Sequence, residues 1–123
     1  MTRATNPKSK KVQTDSGVSI RLALAQINGL VGGFKANAKK VQSACAKARN
    51  MDADVVLFPE LTLTGYPPED LLHKNSFIKE CHATLKKLAP YTHGLTAVIG
   101  FAEQKGKHLY NSAALICDGK HIG

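Results

Sequence analysis

Glu60 follows the apolar run Asp54-Val-Val-Leu-Phe58 and Pro59, so it stands where a short strand surfaces. In open α/β architectures ligands gather just beyond the carboxyl ends of strands. A carboxylate there could take a proton from a nucleophile, the work of a general base. The plain alternative is a solvated acid, the usual state of a glutamate at a strand end. The nucleophile candidates are Cys45, Cys81 and Cys117. A free thiol has a pKa of about 8.5, so it attacks efficiently near neutrality only when a neighbour removes its proton. Cys45 and Cys81 fall on apolar helical stripes and Cys117 in an apolar strand pattern, positions where cysteine serves as a small core hydrophobe. His73, His82, His93, His108 and His121 share no spacing and have no acid placed to orient them, so they read as surface or loop residues rather than partners of a thiol. Tyr66, after Gly65 in the loop beyond Glu60, either lines a pocket or packs on Pro67 and Pro68. Glu69 and Asp70 suit the amino end of a helical turn. The sequence has no P-loop, no GxGxxG and no metal-ligand spacing such as HExxH, so no metal site is expected.

The elements that must position these residues follow from periodicity. Ser19 to Ile27 alternates Ile20, Leu22 and Leu24 with Arg21, Ala23 and Ala25, a strand with one bulky apolar face and one small face that another layer can approach closely. Asn28, Gly29, Gly32 and Gly33 break the chain. Val41, Ala44, Cys45 and Ala48 then recur at helical spacing, predicting a helix from about Lys35 to Asn50 with Lys39, Lys40, Lys47 and Arg49 outward. Asp54–Phe58 reads as a strand covered on both faces, and the strand, helix, strand order implies a right-handed parallel crossover. Pro68-Glu-Asp-Leu-Leu72 predicts one helical turn. A second helix follows, capped by Asn75 or Ser76, with Phe77, Ile78, Cys81, Leu85 and Leu88 as its buried stripe and Pro90 beyond its end. Leu95–Phe101 and Leu109–Cys117 predict two more strands joined by Ala102–His108, and Asp118-Gly119 opens a hairpin whose return strand begins near Lys120.

Composition sets the bounds. The chain has 123 residues, 43% hydrophobic, enough for one domain with a modest core. Residues 1–18 read as a flexible basic tail and residues 19–123 as part of a single domain. The formal charge of +8 raises nucleic acid as a partner. Yet Arg3, Lys8, Lys10 and Lys11 against Asp15 put +3 of that charge in the tail and the remaining +5 is spread thinly, without any base-reading element, so no nucleic-acid partner is expected. The longest apolar run, Ala113–Cys117, is far short of the about 20 residues a spanning helix needs, so no membrane partner is expected either. Three cysteines without CxxC pairing suit a reducing cytoplasm.

The stretch Phe58-Pro-Glu-Leu-Thr-Leu-Thr-Gly-Tyr-Pro-Pro-Glu-Asp-Leu-Leu72 resembles the first catalytic motif of the nitrilase, or carbon-nitrogen hydrolase, superfamily. Its Tyr66-Pro-Pro-Glu-Asp-Leu-Leu72 extension is similar to that of the amino-terminal glutaminase domain of glutamine-dependent NAD synthetases. Leu22-Ala-Leu-Ala-Gln26, Asn37 and Tyr110-Asn-Ser-Ala-Ala114 carry the resemblance from about Ile20 to Gly123. It implies an α/β fold, the N-terminal half of an α-β-β-α sandwich that is incomplete in this chain. It also implies a glutamate, lysine and cysteine triad in which Glu60 is the general base, with glutamine as substrate. The family's lysine lies beyond the hairpin after Asp118-Gly119-Lys120 and its cysteine farther on, so neither is in this chain and the chain alone is expected to be inactive. Lys120 matches the turn lysine before the catalytic one and reads as solvated. By the same resemblance the glutaminase step needs no cofactor, ATP and Mg belong to a synthetase domain, and the full-length protein forms homo-oligomers. The alternatives are a fragment of another amidase of the superfamily and a non-catalytic fragment that binds a partner.

Overall fold

The computed structural model describes residues 8–13 and 17–123, with one six-stranded sheet in strand order β1 to β6. The strands are β1 (Lys8–Gln13), β2 (Ser19–Leu24), β3 (Val55–Leu57), β4 (Thr96–Lys105), β5 (His108–Cys117) and β6 (Lys120–His121). Helix α1 (Phe34–Asn50) joins β2 to β3, and helix α2 (Asn75–Leu88), flanked by short 3-10 turns at Glu69–His73 and Ala89–Thr92, joins β3 to β4. β2, β3 and β4 run parallel, and β1, β5 and β6 extend the sheet antiparallel at its two sides.

The small face of β2 does what small residues allow. Ala23 and Ala25 are buried, and with Val56, Ala97, Ile99, Phe101, Ala114 and Ile116 they form a surface on which the helices lie. Val41, Ala44, Cys45 and Ala48 of α1 and Phe77, Ile78, Cys81, Leu85 and Leu88 of α2 complete this core. Each large aliphatic side chain buried there contributes about 1.5–3 kcal/mol. Phe34 and Phe77 bind the two helices together with ring centroids 4.9 Å apart.

The other face differs from expectation. Strand β3 was to be covered on both sides, yet on the face away from the helices Ile20, Leu24, Leu57 and Leu115 are between 36% and 41% exposed. The registers Leu24↔Leu57, Leu57↔Val98 and Val98↔Leu115 set Leu24, Leu57 and Leu115 in one row across the sheet, with Ile20 on the same face four residues back along β2. Such a row matches the half-sandwich the sequence implies.

Other boundaries moved for identifiable reasons. Lys8–Gln13 lies in the segment read as a flexible tail, but it pairs antiparallel with β2, Val12 opposite Ile20. Edge-strand pairing uses backbone groups, so a polar segment can join without any hydrophobic alternation. Residues 1–7 and 14–16 of that tail lie outside the described residues. β4 continues to Lys105, and a two-residue turn at Gly106 (φ 60°) and Lys107 replaces the longer connection expected from 102 to 108. A glycine with positive φ at the first turn position suits a tight hairpin. At α2 the residue before the first turn is Lys74, with no side-chain cap, so neither Asn75 nor Ser76 plays the capping role. The hairpin at Asp118-Gly119 formed as expected, both residues having positive φ (47° and 82°). Among the described residues no helix is long and apolar enough to cross a membrane.

Candidate active site

Glu60 is placed by a turn that the sheet and α1 hold from both sides. Phe58 N–H donates to Val98 O at 2.9 Å as β3 ends, and the chain then crosses over β4 at Gly100. Leu63 N–H donates to Gly100 O at 3.3 Å, and Gly65 N–H donates to Leu61 O at 3.0 Å. Thr62 Oγ1 donates to Pro59 O, and Thr64 Oγ1 donates to Gly65 O. These contacts close residues 59–65 into a compact turn in which Leu61–Gly65 are buried and Glu60 is exposed.

Asn37 ties that turn to the loop after β2. Fully buried on α1, it accepts a hydrogen bond from Leu30 N–H at 2.8 Å and donates to Leu30 O at 2.8 Å and Leu63 O at 2.9 Å. Gly32 N–H adds a 2.9 Å bond to Thr64 O. The two loops pack so closely that a Cβ on Gly65, whose φ is 75°, would lie 2.6 Å from Leu30 C. Between them is a pocket of about 230 Å³ lined by Ile27, Asn28, Gly29, Pro59, Glu60, Leu61, Thr62 and Tyr66. Lys40 Nζ donates to Asn28 O and steadies the pocket's outer wall.

Among the described residues the carboxylate has one side-chain partner: Asn111 Nδ2 on β5 donates to Glu60 Oε1 at 2.5 Å. Asn111 faces Ala102 in the β4–β5 ladder. Tyr66, expected either to line a pocket or to pack on the prolines, is on the pocket wall with 69% of its surface exposed.

The other candidates are elsewhere. Cys117 and Lys120 are opposite each other at the β5–β6 turn. Asn111 is six residues up β5 from Cys117, and at about 3.3 Å per residue neither group reaches Glu60. Cys117, read as core, is half-buried. Cys45 and Cys81 are buried under the helices, and burial pushes each thiol up to about 11, against the opposing effects of the Arg49 charge and a backbone hydrogen bond from Ala102 respectively. Such thiols are structural. His82, read as a surface or loop residue, is instead half-buried on α2, its ring edge-on to that of Phe101 with centroids 5.8 Å apart. His108 and His121 lie in strands. Glu69 and Asp70 are in the first turn of the 3-10 segment. Glu103 receives a 2.8 Å hydrogen bond from Ser112 Oγ, which holds its carboxyl below the usual range. Strand alternation turns it to the sheet face opposite Ala102. Among the described residues no group of three or more His, Cys, Asp or Glu could hold a metal ion.

Sequence reasoning did not assign roles to Asn111, Thr62 or Gly100. The available signal was Asn111 itself, a polar residue in a strand where asparagine is depleted.

Residues 21–123 match the carbon-nitrogen hydrolase family. The glutamine-dependent NAD(+) synthetase of Xylella fastidiosa is 42% identical over 102 residues, covering 82% of this chain and 19% of that protein. The solved glutamine-dependent NAD+ synthetase of Acinetobacter baumannii superposes with a TM-score of 0.78 at 35% identity, over 83% of this chain and 19% of that one. An amidase from Nesterenkonia sp. shares the fold, with a TM-score of 0.76 at 22% identity over 85% of this chain and 41% of that one. The chain thus spans about a fifth of the length of the synthetases it matches. A match through nearly the whole length from β2 to β6, over a fold these relatives share, makes this chain a member of the carbon-nitrogen hydrolase family.

Proposed function

We propose that this segment is the amino-terminal part of a glutamine amidohydrolase domain that releases ammonia for ATP-dependent NAD synthesis from deamido-NAD. The observation that carries the reading is the carboxylate of Glu60, held by Asn111 at the rim of a pocket beyond the carboxyl end of β3. Identity to NAD synthetases over 82–85% of the chain supports the choice of glutamine over another amide.

Glu60 acts as general base. It accepts the proton of a cysteine thiol supplied from outside these residues, and the resulting thiolate attacks the side-chain amide carbon of glutamine. The proton passes to the departing nitrogen, ammonia leaves, and water cleaves the thioester to glutamate. Tyr66, on the pocket wall, would contact the substrate. The glutaminase step uses no cofactor; ATP and Mg serve a fused synthetase domain, and no residue here is assigned to them.

The test is a chimera in which residues 19–123 replace the matching segment of the Xylella fastidiosa synthetase. Glu60→Gln keeps the side chain's size and removes proton acceptance, worth about 100- to 10,000-fold. Glutamine-driven NAD formation should fall by that factor while ammonia-driven formation persists. Equal loss of both would assign Glu60 a folding role, and unchanged glutamine use would leave it a solvated acid.

A further inference from the structure

We propose that Asn111 is the positioning residue for Glu60, fixing which carboxylate oxygen receives the thiol proton. The proposal rests on the reading of Glu60 as general base. Asn111 Nδ2 donates to Oε1 at 2.5 Å, so Oε1 is engaged and Oε2 is the oxygen left to accept. Both ends of this bond are anchored on one sheet. Asn111 is opposite Ala102 in a ladder that pairs all of Thr96–Lys105 with His108–Cys117. Two residues before Ala102, Gly100 lies directly against Pro59–Leu61 and fixes the height of the turn that carries Glu60.

The chemistry favours an amide over the alternatives. As the thiol S–H bond breaks and an Oε2–H bond forms, Glu60 passes from carboxylate to neutral acid, and Oε1 can accept the Asn111 N–H in both states. The donor therefore holds the orientation throughout without titrating. An aspartate at 111 would have no proton to donate and would repel the carboxylate, and a lysine would add a full positive charge beside the group that must take up a proton. Packing does not explain the residue, since Asn111 is exposed on its strand.

In the same chimera, Asn111→Ala should lower kcat with glutamine by about 100-fold, the scale expected when a reacting group is misplaced by about an ångström. KM for glutamine and the ammonia-driven rate should be unchanged. Asn111→Asp, which keeps the shape without the donor, should lose as much, and Asn111→Gln, which keeps the donor on a longer arm, should recover part. When Glu60 is already Gln, Asn111→Ala should cost nothing further, because the two residues act as one unit. Additive losses, equal loss with ammonia and glutamine, or full glutamine use by Asn111→Ala alongside an inactive Glu60→Gln would overturn the role of Asn111 and leave the base intact. Unchanged glutamine use by Glu60→Gln would overturn the base and this proposal with it.

Discussion

Gly100 lies beneath Pro59 so tightly that a Cβ built on it would come 2.5 Å from Pro59 O and 2.7 Å from Leu61 N. Both atoms are backbone, so nothing nearby can swing away to make room. The smallest side chain is thereby excluded at the point where β4 supports the turn bearing Glu60. Gly100→Ala should lift residues 59–61 off the sheet, at about 1–3 kcal/mol for overpacking. In the chimera a lower melting temperature should accompany a glutamine-driven rate that falls more than the ammonia-driven rate. A variant matching the parent in both respects would show that the turn does not depend on this contact.

The isolated chain should not hydrolyse glutamine. None of its three cysteines reaches Glu60: two are buried beneath the helices, and the third is at the far end of β5. Ammonia release from glutamine, measured against buffer, should show no excess. Turnover that disappears in Glu60→Gln would prove that one of these thiols serves after all.

The row Leu24, Leu57 and Leu115, with Ile20 beside it on β2, leaves one sheet face apolar and open. Exposed patches of this kind drive association. The isolated chain should bind a hydrophobic dye and self-associate, and Leu57→Lys should weaken both effects because residue 57 is in the middle of the row. A monodisperse monomer that melts sharply and ignores the dye would refute this.

Burial raises the Cys45 and Cys81 thiols well above the free-thiol value, to about 11. At pH 8 iodoacetamide should therefore label the half-buried Cys117 well before either of them. Because each folded value exceeds the unfolded one, their contribution to stability is complete below about pH 9 and is lost as pH rises through about 11. Replacing both with Ala should flatten that alkaline decline in a denaturation series. An equal decline in the double variant would trace it to other groups.

Local pattern was enough for much of the fold. Alternation at Ile20–Ala25 set the bulky and small faces of β2, and helical spacing at Val41–Ala48 and Phe77–Leu88 set the buried stripes, because each depends on neighbours within a turn or two of chain. Phe58-Pro-Glu60 likewise marked the strand end and its carboxylate. The pairing of Lys8–Gln13 with β2 escaped that reading, since edge pairing is made by backbone groups that leave no mark on side-chain pattern.

The surroundings of Glu60 belong to tertiary structure. Asn111 reaches it across 51 positions of sequence, Asn37 holds Leu63 across 26, and Gly100 meets Pro59 only because β4 lies beside β3. Such contacts arise from strand register and the crossing of loops, which fix distances that no local periodicity encodes. Sequence alone therefore determined the pattern of elements, the carboxylate at the end of β3 and the family motif, but not the open face of β3, because a continuous apolar run reads the same whether one side or both are covered. Only the folded chain decided what holds that carboxylate and which of its oxygens the partner engages.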